Sequence, residues 1–259
     1  FPHMWCQGCG HGIVLNSLLR AVEDLGMSKN EIVMVSGIGC SSRISGYVDF
    51  HSLHTLHGRA LAFATGIKLS KPELNVIVPM GDGDALAIGG NHFIHAARRN
   101  IDLTVILFNN HIYGMTGGQV SPTTPKGKKA STAPFGRFEN AFNISGLAQA
   151  AGATFVARSG VYNAVQLENY IGKALQKKGF SLVEVMSPCP TAYGRRNREG
   201  TPVDMIMWQK ENSIPVSKAE KMTAEELEGK LITGILVDTE RPECRAEYQK
   251  LIEKYSANQ

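Results

Sequence analysis

The chain has 259 residues, of which 43% are hydrophobic, and it carries a formal net charge of +4 at pH 7. Its length fits one large domain or two small ones with an ordinary buried core, and its mild positive charge does not require a nucleic-acid partner. No apolar run approaches the roughly 20 residues that a membrane helix needs, and no basic stretch at the start leads into an apolar one, so we expect a cytoplasmic protein without a membrane span. Since Phe1 is not an initiator methionine, we also expect that residues preceding it are missing from this sequence.

Helical and strand patterns alternate along most of the chain. Apolar residues recur on one side of a helix over residues 13–25, and a β-branched run at 32–35 follows as a strand. The sequence then predicts a helix over 59–69, a strand at 75–80, a helix over 85–98 and a strand at 103–108. The unit repeats with a helix through 147–151, a short strand at 154–156, a helix over 164–177 and a strand at 182–185. These repeats predict parallel strands joined by helical crossovers.

The predicted strands are apolar throughout, without the alternation that a half-exposed sheet shows. Such strands are typical of a sheet covered by helices on both faces, so we predict an α/β fold with a mostly parallel, doubly wound sheet over residues 1–190. From 190 to 214 the periodicity fades, and terminal helices are expected at 224–230 and 245–255. We therefore predict that residues 191–259 form a C-terminal extension that packs on the domain or on a partner subunit, without a second core.

Four segments with turn residues and reactive side chains follow directly after predicted strands, at residues 36–40, 81–84, 109–116 and 187–189. Open α/β sheets bind ligands beyond the carboxyl ends of their strands. Each segment alone could be ordinary turn chemistry, but four of them at the same edge predict one ligand-binding cleft.

Two of these segments suit a magnesium ion and a diphosphate. The Gly81-Asp82-Gly83 turn lets a backbone come close to a phosphate, and Asp82 offers a hard oxygen ligand. Asn110 follows the next strand as a second oxygen ligand, and the main-chain carbonyl of Ile112 could be a third. A helix beginning near residue 85 would point its amides at the diphosphate. The alternative is that both segments are plain turn signals.

Five motifs together resemble the β subunit of a 2-oxoacid:ferredoxin oxidoreductase, in that family's order and over most of residues 5–190. They are Cys6-Gln7-Gly8-Cys9-Gly10-His11-Gly12, Gly37-Ile38-Gly39-Cys40-Ser41-Ser42, His54-Thr55-Leu56-His57-Gly58-Arg59-Ala60, Gly81-Asp82-Gly83-Asp84 and Tyr113-Gly114-Met115-Thr116-Gly117-Gly118-Gln119. The resemblance implies the diphosphate half of a thiamine-diphosphate-binding fold, with one [4Fe–4S] cluster in this chain. It also implies a separate α subunit that supplies the pyrimidine-binding half, so this chain alone should not turn over.

The same resemblance implies which cysteines bind the cluster. Cys6, Cys9, Cys40 and Cys189 match the family's four ligands, whereas Cys244 has no assigned role. Four cysteines in a reducing cytosol are better explained by a metal site than by disulfides. A zinc site with four cysteines is the alternative. A ligand in the loop that would contact thiamine favours electron transfer over a structural metal.

Further cofactor contacts are implied by the resemblance. Those to thiamine are Ile38, Gly39, Cys40, Ser41 and His57. Those to the diphosphate are Gly83, Asp84, Gly114 and Met115, while Asp82, Asn110 and the Ile112 carbonyl would hold Mg²⁺. His51 and His54 are expected to fill polar roles in a loop, without binding a metal.

The family's reaction is the oxidative decarboxylation of a 2-oxoacid, in which the acyl group passes to coenzyme A and electrons pass through the cluster to ferredoxin. Arg43 lies three residues beyond Cys40, and its planar fork could bind a second substrate carboxylate. This favours 2-oxoglutarate over pyruvate or a branched-chain 2-oxoacid. The alternative is that Arg43 bridges to the α subunit. An αβ or (αβ)₂ assembly is expected.

Two other classes of protein share part of this pattern. A non-oxidative thiamine-dependent decarboxylase would use the Gly-Asp-Gly segment but has no need for four matched cysteines, and a metal-bound interaction module would leave that segment without a role.

The positive charge of the chain is concentrated in two runs. The first is Lys126, Lys128 and Lys129, and the second is Arg195, Arg196 and Arg198. Solvated loops explain both runs, and the alternative is docking of an acidic electron carrier or of a phosphate-bearing substrate.

Overall fold

A computed structural model describes residues 3–256 of the chain, so Phe1, on which the expectation of missing residues rests, lies outside the described range. The strands are β1 Ile32–Ser36, β2 His51–His54, β3 Asn75–Gly81, β4 Leu103–Asn109, β5 Ile112–Tyr113, β6 Gln119–Val120, β7 Phe155–Gly160, β8 Phe180–Met186, β9 Ser213–Pro215 and β10 Leu231–Asp238. The helices are α1 His11–Asp24, α2 Ala60–Ser70, α3 Asp82–Leu86, α4 Gly90–Arg98, α5 Ile144–Ala151, α6 Ala164–Gln176, α7 Arg195–Asn197, α8 Pro202–Asn212, α9 Val216–Ala219, α10 Ala224–Leu227 and α11 Cys244–Ser256. Short 3₁₀ helices cover Lys29–Glu31 and Ser41–Tyr47, and a π turn covers Pro190–Gly194.

The main sheet has eight strands in the order β2-β1-β3-β4-β8-β7-β10-β9. Its neighbouring strands run parallel, except that β10 is antiparallel to β7. The chain adds β2 on one side of β1 and then β3 and β4 on the other side. The topological switch point of this doubly wound sheet therefore lies between β1 and β3. The predicted α/β class and mostly parallel sheet are confirmed.

Successive residues of the central strands point to opposite faces of the sheet, and each face carries its own core. Val33 and Val35 pack with α2, α4 and α5 on one face, whereas Ile32 and Met34 pack with α1 and α6 on the other. Both faces of β1, β4 and β8 are therefore buried. This double burial explains why these strands read as continuous apolar runs in the sequence.

The single helix predicted over residues 85–98 is wrong, because the structure has two helices there. The first, α3, begins at Asp82 and ends at Leu86, and the second, α4, begins at Gly90. Gly89 lies so close to α3 that a Cβ added to it would be 2.3 Å from the carbonyl oxygen of Asp84. The break turns the chain sharply, so that only five residues of helix follow the carboxyl end of β3.

One further expectation is wrong, and the region after residue 190 has more regular structure than its fading periodicity predicts. Residues 51–54 form the edge strand β2 and not a loop. The region after residue 190 contains α8, which begins with a capping box between Thr201 and Asp204, and the strands β9 and β10. Because β10 pairs with β7, the C-terminal extension continues the main sheet. Within residues 3–256, no helix is long and apolar enough to cross a membrane.

Candidate active site

The loops predicted to meet at one sheet edge follow β1, β3, β4 and β8, which are consecutive in the sheet. The first three loops surround a cleft at the carboxyl ends of these strands. Its lining includes Ile38, Gly39, Cys40, Ser41, His57, Asp82, Gly83, Asp84, Asn110, Ile112, Gly114 and Met115, together with His11, Tyr113 and Thr116. The fourth loop, 187–189, lies beside the cleft and borders a second, larger cavity that also reaches Asn110.

Asp82 is the buried carboxylate at the floor of this cleft, with 2% of its surface exposed. The hydroxyls of Ser121 and Thr123 both donate to its Oδ2, the first over 2.6 Å. Burial raises the pKa of Asp82, although these two hydrogen bonds act in the opposite direction. Within residues 3–256, Asp82 has no ion pair with a lysine or an arginine. A cation bound at its other oxygen would supply the missing positive charge, so the environment fits Mg²⁺.

Asn110 and Ile112 are placed at the same cleft by an unusual turn. His111, between them, has a φ of 62°, in the left-handed region that few non-glycine residues adopt. Its Nδ1 lies 2.8 Å from the carbonyl oxygen of Thr123. The side-chain oxygen of Asn110 accepts from the backbone N–H of Ile112. The turn thus brings both expected magnesium ligands to the cleft that Asp82 lines.

Asp84 fixes the orientation of His57. Its Oδ1 accepts from the backbone N–H of Gly58 over 2.7 Å and lies 3.0 Å from Nδ1 of His57. The hydrogen bond to Asp84 is the main reason that the pKa of His57 is raised, against the effect of burial. With Nδ1 engaged, Nε2 of His57 is the nitrogen available to a molecule in the cleft.

Several buried polar atoms around the cleft have no partner in the described part of the chain. They are Nε2 of His11, Oγ of Ser41 and Oδ2 of Asp84. Burial lowers the pKa of His11 to about 4, so this imidazole is neutral at pH 7. Since unpartnered buried polar atoms cost free energy, they fit a site that is completed by a polar cofactor.

Gly83 makes room for a close contact within the cleft. A Cβ at this position would lie 2.3 Å from the ring of Tyr113, whose hydroxyl donates to the carbonyl oxygen of Gly83 over 3.0 Å. The first turn of α3 and the segment after β4 are therefore held against each other. Any larger residue at 83 would separate them.

The four cysteines expected to bind a cluster come together beside this cleft. The indole N–H of Trp5 donates to the carbonyl oxygen of Cys40, and the hydroxyl of Ser187 donates to that of Cys9, each over 2.7 Å. A Cβ added to Gly114, which lines the cleft, would lie 3.3 Å from Sγ of Cys189 and 3.7 Å from Sγ of Cys40.

The remaining sulfurs complete the group. Thr191 Oγ1 lies 3.6 Å from Sγ of Cys6 and 3.9 Å from Sγ of Cys189. Burial raises the pKa of the Cys9 and Cys40 thiols to about 11, and the neighbouring cysteines add to the rise. Each would need a bound cation to lose its proton at neutral pH.

The spacing of the sulfurs bears on the kind of metal site. In residues 3–256, no three His, Cys, Asp or Glu side chains are placed to share a single metal ion. The residues present supply four cysteine sulfurs, the ligands that an iron–sulfur cluster uses and that a zinc site can also use.

Some predicted residues lie outside the cleft. Arg43 is exposed on the 3₁₀ helix after Cys40 and is not part of the cleft lining. His54 Nδ1 lies 3.1 Å from the hydroxyls of both Ser36 and Ser45, which agrees with its expected polar role. Cys244 begins α11, away from the other four cysteines, and packs against the core of one sheet face.

Three residues with a place in the site were not predicted. Ser121 and Thr123 lie about 40 positions after the aspartate that they bind, and no local pattern links them to it. His11 could have been predicted as a site residue, because it follows the cysteine pair in a glycine-rich motif.

Comparisons with known proteins identify relatives of this chain. The model of the thiamine pyrophosphate enzyme C-terminal TPP-binding domain matches residues 37–185. The 2-oxoglutarate synthase subunit KorB of Methanocaldococcus jannaschii is 58% identical over 253 residues, which cover 98% of this chain and 94% of that protein. The 2-oxoglutarate oxidoreductase subunit KorB of Mycobacterium tuberculosis is 47% identical over 186 residues, or 72% of this chain and 50% of that protein.

A solved structure extends the similarity to three dimensions. It is the 2-oxoglutarate:ferredoxin oxidoreductase from Magnetococcus marinus with 2-oxoglutarate, coenzyme A and succinyl-CoA bound. The two chains superpose with a TM-score of 0.89 at 36% identity, over 99% of this chain and 88% of that one. The sequence, the fold and the cleft together show that this chain belongs to the β subunits of the 2-oxoacid:ferredoxin oxidoreductases.

Proposed function

We propose that this chain holds thiamine diphosphate through Mg²⁺, carries one [4Fe–4S] cluster, and acts on 2-oxoglutarate as part of a complex with an α subunit. Family membership already removes the two rival classes, the non-oxidative decarboxylase and the interaction module without catalysis. The observation that carries the proposal is the position of Gly114, which lines the cleft while facing the sulfurs of Cys40 and Cys189. A cofactor in the cleft and a cluster on these cysteines would be neighbours.

The residues of this chain mainly orient the cofactor and enclose the site in which it would bind. Asp82, Asn110 and the Ile112 carbonyl would hold Mg²⁺, and α3 would present its first amides to the diphosphate. Ile38, Gly39, Cys40, Ser41 and His57 would contact the thiamine ring, and Gly83, Asp84, Gly114 and Met115 would border the diphosphate. Bound thiamine diphosphate supplies the decarboxylation chemistry, and the cluster supplies one-electron transfer.

His57 has the most specific task among these residues. Its Nδ1 is fixed by Asp84, so its Nε2 can exchange a hydrogen bond with the cofactor or the substrate. The hydrogen bond to Asp84 raises the pKa of His57, which favours the protonated form of the ring. We assign it the stabilisation of negative charge that develops in the cleft.

The size of the cleft supports the need for an α subunit. Alone, it encloses about 60 Å³, whereas pockets for whole cofactors usually measure about 300–1,000 Å³. The remaining wall would come from the partner, in an αβ or (αβ)₂ assembly in the cytoplasm. Isolated, this chain should bind at most part of the cofactor and show no turnover.

The choice of 2-oxoglutarate rests on Arg43 and on the relatives. The side chain of Arg43 is exposed and has no ion pair or hydrogen bond within the described residues, so its guanidinium is free to bind a carboxylate. The relative from Methanocaldococcus jannaschii is a 2-oxoglutarate synthase subunit, and the Magnetococcus marinus structure contains 2-oxoglutarate. Since Arg43 lies outside the cleft lining of this chain, it would reach the distal end of a long substrate.

The test is anaerobic co-expression with the α-type chain, followed by assays of several 2-oxoacids with coenzyme A and methyl viologen. We expect the highest kcat/KM with 2-oxoglutarate. Arg43→Met should raise KM for 2-oxoglutarate at least tenfold while changing KM for pyruvate less than twofold, and Arg43→Lys should fall between the parent and Arg43→Met. Equal effects on both substrates would assign Arg43 to subunit contact and remove it from substrate binding.

A further inference from the structure

The two basic runs of the sequence are joined in the folded chain. Nζ of Lys128 lies 2.6 Å from Oε1 of Glu199, which follows the second run directly. The side chain of Asn197 accepts from the backbone N–H of Lys129 over 2.8 Å and donates to its carbonyl oxygen over 3.0 Å. The loop at 126–129 is therefore fastened to α7, and the two runs form one surface.

This surface carries a high density of free positive charge. Lys128 is neutralised by Glu199, but five exposed cations have no ion pair within residues 3–256. They are Lys126, Lys129, Arg195, Arg196 and Arg198, which we call the basic patch. The five charges exceed the formal net charge of the whole chain, which is +4. The rest of the chain is therefore close to neutral in net charge, so the net positive charge of the chain is concentrated in the patch.

The basic patch borders the point where the cysteine group reaches the surface. Cys6 is exposed, whereas Cys9 and Cys189 are buried. Thr191, itself exposed, lies between Cys6 and Cys189, and the π turn that contains it leads directly into Arg195 at the start of α7. A cluster bound by these cysteines would be closest to solvent beside the patch.

We propose that the basic patch is the docking surface for an acidic one-electron carrier protein, which receives electrons beside Cys6 and Thr191. This inference rests on the proposed function, because it requires a cluster on the four cysteines. Cys6, Cys9, Cys40 and Cys189 would hold the cluster, which would supply one electron to one oxidised carrier at each encounter, so two encounters would remove the two electrons of one 2-oxoacid. Opposite charge speeds such brief encounters and orients the carrier over the electron exit.

The experiment uses the αβ complex purified anaerobically, with an acidic bacterial-type ferredoxin as the probe. The patch variant is Lys129→Glu/Arg195→Glu/Arg198→Glu. The matched control is Arg20→Glu/Arg99→Glu/Lys173→Glu, which reverses three exposed charges. They lie on α1, on the residue directly after α4 and on α6, and these helices lead back to the opposite edge of the sheet. Both variants change the net charge equally, so any difference reports the position of the charges.

We expect the patch variant to lower kcat/KM for ferredoxin at least tenfold at 10 mM ionic strength and the control to lower it less than twofold. The defect should shrink at about 0.5 M salt, because screening then acts within a few ångströms. Turnover with methyl viologen, KM for coenzyme A and co-purification of the α subunit should stay within twofold of the parent. Direct titration of oxidised ferredoxin by calorimetry should show the same loss of binding.

Other results would overturn the inference. Equal losses in both variants would indicate a general charge effect, and unchanged ferredoxin kinetics and binding would place docking elsewhere. Loss of the α subunit would make the patch a subunit interface, and a selective rise in KM for coenzyme A would make it a phosphate site. Failure of the parent to oxidise any 2-oxoacid with viologen would instead contradict the proposed function, while ferredoxin binding would still be read by calorimetry.

Discussion

Two hydroxyl groups decide how the Asp82 carboxylate is turned. Ser121 and Thr123 both donate to Oδ2, which leaves Oδ1 for a metal ion. Thr123 is itself held in place, because its hydroxyl lies 3.0 Å from Oδ1 of Asn109, and Asn109 donates to the buried Glu184. Partners of metal ligands fix the orientation of the ligand and thereby raise its affinity for the ion.

We therefore predict that Thr123→Val weakens metal binding about tenfold to a hundredfold, because the isosteric valine cannot donate to Asp82. Thr123→Ser keeps the hydroxyl and should bind like the parent. The dissociation constant for Mn²⁺ is measured by titration in the presence of excess thiamine diphosphate, with the free Mn²⁺ followed by electron paramagnetic resonance. Thr65→Val, which removes a hydroxyl on α2 that donates to Leu61, is the control and should have no effect. A Thr123→Val affinity within twofold of the parent would contradict the prediction.

The break between α3 and α4 depends on a close contact of backbone atoms. Gly89→Ala would bring a methyl group to 2.3 Å from the Asp84 carbonyl oxygen, which no side-chain motion can relieve. Overpacking of this kind costs about 1–3 kcal/mol, so the thermal midpoint should fall by several degrees. Gly90→Ala is the matched control, since no atom lies within 4 Å of its Cβ position, and it should be neutral or slightly stabilising. Equal thermal midpoints for the two variants would show that the backbone between α3 and α4 can shift to accommodate the methyl group with little loss of stability.

Strands β7 and β8 are joined by a buried ion pair as well as by backbone hydrogen bonds. Arg158 and Glu184 are register partners, and Nε of Arg158 lies 2.8 Å from Oε2 of Glu184. Arg158→Met would leave Glu184 buried without a counter-charge, which should lower the free energy of unfolding by about 3 kcal/mol in urea. Adding Glu184→Gln should recover more than half of this loss. No recovery would mean that packing, and not charge, is responsible.

The same pair predicts a dependence on pH. Burial raises the pKa of Glu184, but Arg158 and the hydrogen bonds from Ser145 and Asn109 outweigh it, so the pKa is lowered overall. A group with a lowered pKa stabilises the fold above its unfolded pKa, about 4.3 for glutamate, and loses this effect as pH falls further. The difference in the free energy of unfolding between the parent and Arg158→Met should therefore have its full size at pH 7 and become smaller below pH 4. A gap that stays constant would exclude the charge as its cause.

The elements that could be predicted from the sequence are those whose environment is uniform. Strands β1, β4 and β8 are buried on both faces, so each of them is a continuous apolar run in the sequence. The edge strand β2 has exposed residues, including His51 and His54, and carries no such pattern. Helix α8 did leave a readable signal, the capping box at Thr201 with Pro202 at its first turn. Strand β10 was not predicted, because Gly234 interrupts its apolar run.

The site divides in a similar way between local and distant information. Asp82 and Asn110 could be predicted to meet, because the ends of adjacent parallel strands share one edge. The convergence of Cys6 and Cys189 followed only from the family resemblance, since nothing near either residue indicates the other. Ser121 and Thr123 were missed for the same physical reason, as their partner lies far away along the chain.

At the scale of the whole molecule, the proposed path of electrons runs in one direction. It begins at the cleft beyond β1, β3 and β4, passes Gly114 to the sulfurs of Cys40 and Cys189, and reaches the surface at Cys6 beside the basic patch. In this proposal, the decarboxylation site and the electron exit would lie on two sides of the cysteine group. This arrangement lets the α subunit cover the cleft while a carrier protein reaches the patch.

The most direct test of this account is the iron content of the αβ complex, purified anaerobically, in the parent and in Cys6→Ala, a cysteine that lies outside the cleft lining. The account predicts that the variant loses about four irons per αβ pair and a dithionite-reducible [4Fe–4S] signal, yet still binds Mn²⁺ and thiamine diphosphate. Taking the difference between the two complexes removes any clusters that the α subunit contributes. Equal iron in both, or one zinc per chain in place of iron, would contradict the central claim that these four cysteines hold an iron–sulfur cluster beside the cleft.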